Sequence, residues 1–370
     1  MIGRQLVKGM DLSTLLEVEA LGGRFYDGAR AEDAMGILCR YGMNWVRLRL
    51  WNDPYSESRK PYGAGTCGLP HVMLLARRAR ERGCKWLLCL HYSDFWADPG
   101  KQTAPKAWRG LDLPALERAV YVYTRSVMDT LGRYGLGPDM VAVGNEITNG
   151  LLWPLGRAPN FGAIARLVSA GIRAVREADS SALVMLHLDN GGRGSLYRDW
   201  FDRYFAAGGA DFDLIGLSYY PFWHGPMEAL GRNMADLAVR YGKDMIVAET
   251  SMGFTLEDYG DRERLPAGAR KGMAARPALA ERIAWPMTRE GQCAFVRDLG
   301  AVIRGVPGGK CRGFMWWEPA WLPVPGSGWA TEAALAYTGE KGPGGNEWAN
   351  QALFDYDGRA LPALRVIGAL

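Results

Sequence analysis

No Cys-x-x-Cys spacing occurs in this 370-residue sequence, although it carries six cysteines, Cys39, Cys67, Cys84, Cys89, Cys293 and Cys311. Thiols so scattered, several of them in apolar segments, read as free and buried, which excludes a zinc framework or a disulfide scaffold. No apolar run approaches the length of a membrane-spanning helix, so no membrane partner is expected. Charge of one sign is also missing as a pattern: 44 basic and 40 acidic residues leave a formal +4, and like charges never accumulate for more than a few positions. A nucleic-acid groove is thereby excluded. The short basic run Arg77, Arg78 and Arg80 falls on the polar side of a helix whose apolar side carries Val72, Leu75 and Ala79. The first eight residues lack the apolar core and small-residue cleavage site of a secretory signal, so the chain as written reads as cytoplasmic. A secreted protein beginning at a processed terminus would read the same way. With 48% hydrophobic residues, no internal repeat and no low-complexity linker, residues 1–370 are expected to form one domain, and the protein a monomer.

What the sequence does contain is a succession of short apolar segments bounded by turn residues. Eight begin near Gly9, Trp45, Lys85, Met140, Ala182, Leu214, Met245 and Gly313. Between them, residues 69–82, 116–134, 161–178, 233–241 and 292–304 place apolar side chains three or four apart, the helical period. Several of these segments stop at a glycine, as at Gly83, Gly135 and Gly242, where positive φ ends a helix without strain. Strand and helix alternating in that number predict an α/β fold, the (β/α)8 TIM barrel. Residues 254–290 after strand seven and 321–351 after strand eight, rich in Gly, Pro and charge, are expected as long loops walling a groove.

Two of the predicted strands end in glutamate. Met140-Val141-Ala142-Val143 runs into Gly144-Asn145-Glu146, and Met245-Ile246-Val247-Ala248 runs into Glu249. One glutamate at a strand end is most simply solvated or salt-bridged, but two capping apolar strands of a barrel point to a prepared site. In strand two the two-residue period puts Arg47 and Arg49 on one face, and an arginine facing a barrel interior needs an anion. Other strand ends carry the stretch from His91 to Asp98, His187-Leu188-Asp189-Asn190, the stretch from Ser218 to His224, and Trp316-Trp317-Glu318-Pro319-Ala320-Trp321. Flat rings mixed with carboxylate, amide and imidazole suit sugars, which offer C–H faces for stacking and hydroxyls for hydrogen bonds. A retaining glycosidase needs such a pair of carboxyl groups about 5–5.5 Å apart. A metal-dependent hydrolase is the first rival, because His91, His187 and His224 lie near three strand ends. Strand one, however, offers only Met10-Asp11-Leu12-Ser13, and neither His-x-His nor His-Glu-x-x-His occurs. A non-catalytic carbohydrate-binding barrel is the second rival, and it would need neither glutamate. A sugar-phosphate enzyme would want a glycine-rich phosphate loop, which neither Thr250-Ser251-Met252-Gly253 nor Pro319-Ala320-Trp321 provides.

Taken together, Val-Gly-Asn-Glu at 143–146, His-Tyr-Ser-Asp-x-Trp-Ala-Asp-Pro-Gly-Lys-Gln at 91–102, Gly-Leu-Ser-Tyr-Tyr-Pro-x-Trp-His-Gly at 216–225, Val-x-Glu-Thr at 247–250 and Trp-Glu-Pro-Ala-Trp at 317–321 resemble glycoside hydrolase family 53. These are the arabinogalactan endo-β-1,4-galactanases, and the resemblance runs over about 9–364. It implies a barrel of the large retaining clan, acting without cofactor or catalytic metal on β-1,4-galactan or galacto-oligosaccharides. A mannanase or glucanase of the same clan is the alternative. It further implies Glu146 as acid/base, Glu249 as nucleophile, Arg47 beside the nucleophile, Asn145 at the sugar 2-hydroxyl and Tyr219 near the nucleophile. Asp11, His91, Asp94, Trp96, Asp98, Asn190, His224, Trp317 and Trp321 match groove positions of that family. Three departures stand out. Cys89 occupies a position where members often carry aspartate, the acidic loop from Glu257 to Arg264 keeps only part of a calcium-binding pattern, and most relatives are secreted. A basic insert at 269–271 and a helix over 275–284 are expected to reshape that side of the groove.

Overall fold

A computed structural model describes residues 5–260 and 277–370. Eight parallel strands close into a barrel: β1 Val7–Asp11, β2 Trp45–Leu50, β3 Lys85–Leu90, β4 Met140–Val143, β5 Leu183–Leu188, β6 Leu214–Tyr219, β7 Asp244–Thr250 and β8 Cys311–Trp316. Each pairs with its sequence neighbours, and β8 returns to β1. A helix follows every strand: α1 Ala34–Arg40, α2 Leu69–Glu81, α3 Leu113–Arg133, α4 Phe161–Ala178, α5 Gly194–Ala206, α6 Met227–Tyr241, α7 Arg289–Arg304 and α8 Ala363–Ala369. The expected (β/α)8 barrel is therefore observed, with all eight strands beginning within two residues of the expected starts.

Helices α1, α5 and α8, and a two-stranded ribbon of Phe25–Tyr26 with Ala31–Glu32, go beyond the elements expected from periodicity. α5 is the instructive case. Its buried Tyr197, Trp200, Phe201 and Tyr204 repeat at the helical spacing, but as aromatic residues they read equally well as strand formers. The acidic and basic positions at 261–264, the insert at 269–271 and the start of the helix expected over 275–284 lie outside the described residues; Pro277–Ala280 is helical. Among the described residues no helix is long and apolar enough to cross a membrane.

The interior of the barrel is built in layers that change character along its axis. Toward the strand starts it is filled by Trp45, Leu87, Met140, Met185, Leu214, Ile246 and Met315. Gly9 makes room for this plug, since a Cβ there would lie 1.8 Å from Met315 Sδ. Toward the strand ends the interior positions turn polar, with Asp11, Arg47, Arg49, His187 and Ser218 all buried. A packed apolar floor under a buried polar layer confines the chemistry to the carboxyl ends of the strands.

Candidate active site

Arg47 is the hub of the polar layer. From β2 its Nη1 donates to Asp11 Oδ2 of β1 at 2.5 Å, while Nη2 donates to Asn145 Oδ1 at 2.7 Å and Glu249 Oε1 at 2.6 Å. A buried guanidinium with two carboxylate partners offsets much of its desolvation, and its five N–H donors suit one cation serving several acceptors.

Glu249 reaches that hub through an irregularity in β7. Ile246 and Ala248 already face the interior, so strict alternation would turn Glu249 outward. Between β6 and β7 the register slips: Leu217 pairs with Val247, but Ser218 pairs with Glu249. The one extra residue resets the alternation and brings the carboxylate inside. Tyr220 completes its shell, the hydroxyl donating to Glu249 Oε2 at 2.9 Å.

Glu146 is delivered by a turn. β4 ends at Val143, Gly144 adopts φ 89°, and Glu146 itself sits at φ 46°, ψ 51°. A left-handed glutamate costs on the order of 1 kcal/mol and persists where surrounding contacts dictate it. Ser218 Oγ lies 2.6 Å from Glu146 Oε1 and 2.9 Å from His187 Nε2, and His187 Nδ1 lies 3.2 Å from Asn145 Oδ1.

Carboxylate oxygens of Glu146 and Glu249 and a ring nitrogen of His187 come within 4.8 Å of one another. A cation could span that distance, but both His187 nitrogens already have protein partners and Arg47 presses its charge on Glu249. The donor set suits a hydrogen-bonded carboxylate pair better than a metal. Burial pushes both carboxyls upward. Glu146 rises well above the ordinary range, driven further by the charges of Glu249 and Asp189. Glu249 also rises through burial, but Arg47 and the Tyr220 hydroxyl hold it back. Burial, with Arg47 nearby, keeps His91 and His187 well below their usual value and hence neutral.

Around the pair a cleft of about 250 Å³ is lined by His91, Trp96, Asp98, Trp317 and Trp321, which the sequence reading had placed in the groove. Arg49 is stacked beneath the Trp96 ring at 4.4 Å and tied to Glu318, so an ion pair supports this aromatic floor. Tyr219 is a correction. It points away from Glu249, its hydroxyl donating to Gly225 O at 2.9 Å; because alternate residues of β6 face opposite sides, the tyrosine that meets Glu249 is Tyr220. Asp94, His224, Asn190 and Asp11 do not line this cleft. Asp94 accepts the backbone N–H groups of Asp53 and Lys106, pinning two loops. His224 packs its ring against Tyr220 at 5.7 Å, and Asn190 donates to Asp189. Asp11 acts through Arg47. The sequence reading missed Tyr220, and also Trp329, Glu347 and Trp348, which the loop after β8 folds over the cleft. The aromatic content of that loop was the available signal.

The sequence model of glycosyl hydrolase family 53 matches residues 7–367. The chain belongs to that family. It is a glycoside hydrolase. An endo-beta-1,4-galactanase of Bacillus subtilis (strain 168) is 35% identical over 99% of this chain and 86% of the relative. An uncharacterized protein of Niallia circulans is 39% identical over 98% of this chain and 93% of its own length. Among solved structures, the family 53 catalytic domain from Ignisphaera aggregans superposes with a TM-score of 0.89 at 38% identity, covering 99% of this chain and 96% of that one.

Proposed function

We propose that this family 53 member is an endo-acting β-1,4-galactanase that retains anomeric configuration, with Glu249 as nucleophile and Glu146 as acid/base. The observation that carries the reading is the unequal environment of two carboxylates within 4.8 Å of each other. Glu249, held by a cation and a phenol, is suited to stay ionised and attack the anomeric carbon. Glu146, buried beside that negative charge, is suited to hold a proton for the leaving oxygen and, once ionised, to activate water against the glycosyl-enzyme. Asn145 Oδ1 faces Arg47 and can only accept, so a neutral His187 meets it from Nδ1, while Ser218 Oγ lies 2.9 Å from His187 Nε2 and donates to Glu146 Oε1 at 2.6 Å. Asn145, whose Nδ2 donates to Ala97 O, would offer its other amide hydrogen to the sugar 2-hydroxyl.

Endo action on galactan is supported by the name borne by the Bacillus subtilis relative. The test is incubation with galactan, galacto-oligosaccharides, mannan and cellulose, followed by product sizing. Internal cleavage of galactan into oligosaccharides is expected. Hydrolysis confined to mannan or cellulose would move the protein to another specificity of the same clan, and binding without hydrolysis would favour a carbohydrate-binding barrel.

A further inference from the structure

Cys39 and Cys84, 45 positions apart in sequence, bring their sulfurs to 3.6 Å of each other. They lie at the strand-start side of the barrel, Cys39 in the last turn of α1 and Cys84 immediately ahead of β3. Neither lines the cleft. Their backbones are held independently. Cys84 donates to Ala79 O at 2.9 Å, the next residue Lys85 donates to Asn44 O at 3.0 Å, and Cys39 O accepts from Gly42 at 2.9 Å. The contact is therefore set by two anchored elements.

The pair also differs from the other cysteines in access. Cys39 is partly exposed, whereas the other five are buried. Cys67, Cys89 and Cys311 direct their sulfurs at carbonyl, amide or guanidinium groups, and none of them has a thiol neighbour. The Cys84 thiol beside it pulls Cys39 below its ordinary value, with Arg82 acting the same way, while Cys84 is pushed up. A thiolate is the attacking species in disulfide exchange, so reagent should arrive at Cys39.

We propose that Cys39 and Cys84 form a thiol–disulfide exchange site that reacts with small-molecule disulfides and closes into an intramolecular bridge. The Cys39 thiolate attacks one sulfur of R–S–S–R, forming a mixed disulfide and releasing R–S⁻. Cys84 then loses its proton and attacks Cys39 Sγ, releasing the second R–S⁻. The two thiol protons end on the two released thiolates, and the reagent has accepted two electrons. Closure requires the sulfurs to approach from 3.6 Å to about 2.05 Å, a movement shared between two side-chain rotations and a small backbone shift. The bridge would tie α1 to β3 around β2 and restrict the unfolded chain over that loop.

The reduced protein is incubated with oxidised glutathione, desalted, denatured and alkylated. Four of the six cysteines should then alkylate, the intact mass should fall by two hydrogens, and a peptide joining Cys39 to Cys84 should be recovered. The bridged protein should melt several degrees higher and return to its original melting temperature on reduction. Cys84→Ser should stop at a glutathione adduct on Cys39, and Cys39→Ser should take up no glutathione. Six alkylated thiols in the wild-type protein, or a persistent adduct on Cys39 with no bridge, would overturn the site. A bridge that leaves melting unchanged would overturn its stabilising role.

Discussion

Glu146 and Glu249 are told apart by their neighbours more than by their burial. Glu249 has a guanidinium and a phenol, whereas Glu146 has a serine hydroxyl and the negative field of its partner. Substrate chemistry can expose that difference. With Glu146→Gln, a β-galactoside carrying a very acidic leaving group should still form the glycosyl-enzyme, whose breakdown then stalls. Azide needs no general base and should accelerate that step, giving a product of retained configuration. With Glu249→Ala, azide enters only from the opposite face and the product is inverted. Exchanged stereochemistry would mean exchanged roles. The adjacent tyrosines offer a second residue-scale test. Tyr220→Phe removes a hydrogen bond that favours ionised Glu249, so the acid limb of kcat/KM should move to higher pH and kcat should fall roughly 10- to 100-fold. Tyr219→Phe should leave both nearly unchanged, because its hydroxyl serves only Gly225 O among the described residues. Equal effects from the two variants would remove Tyr220 from the site.

At the scale of elements, the strands were legible because buried parallel strands are short apolar runs, and Arg47 with Arg49 obeyed the two-residue period. The inward turn of Glu249 was not legible from that period, since it depends on a register slip between β6 and β7 that only pairing creates. Trp329, Glu347 and Trp348 escaped notice because a loop lacks a period to read. Barrel closure supplies another case. Gly313 in β8 has φ 146°, and a Cβ there would stand 2.1 Å from Val7 O of β1, a backbone atom that cannot swing aside. Gly313→Ala should therefore cost about 1–3 kcal/mol, seen as a lower urea midpoint at unchanged slope. Gly132, inside α3, has nothing within 4 Å of its added Cβ, and Gly132→Ala should instead gain about 0.5–1 kcal/mol. Similar losses at the two positions would mean that β1 and β8 do not meet as closely as described.

For the whole molecule, stability must follow the protons held in its interior. Burial raises the carboxyls of Glu17, Glu146, Glu249 and Glu318, the last to about 7 against an ordinary 4.5. A group whose folded pKa exceeds its unfolded one contributes stability fully below the unfolded value, and that stability is lost as pH rises through the folded value. For Glu318 the window runs from 4.5 to about 7. The neutral histidines act in the opposite sense: His224, lowered from 6.5 to about 4 by burial, contributes stability above 6.5 that is lost as pH falls toward 4. The two sets oppose each other across mildly acid pH, so the wild-type curve alone does not separate them. Glu318→Gln removes one acid and leaves the histidines in place. Whatever the substitution costs at the acid end, where both side chains are neutral, the variant should recover on the order of 3 kcal/mol relative to wild type as pH is raised through the window. Urea midpoints of the two proteins at either end measure the change. A difference independent of pH would mean that Arg49 offsets the burial of Glu318 completely, and a variant that loses ground as pH rises would mean that their ion pair is a net source of stability at neutral pH.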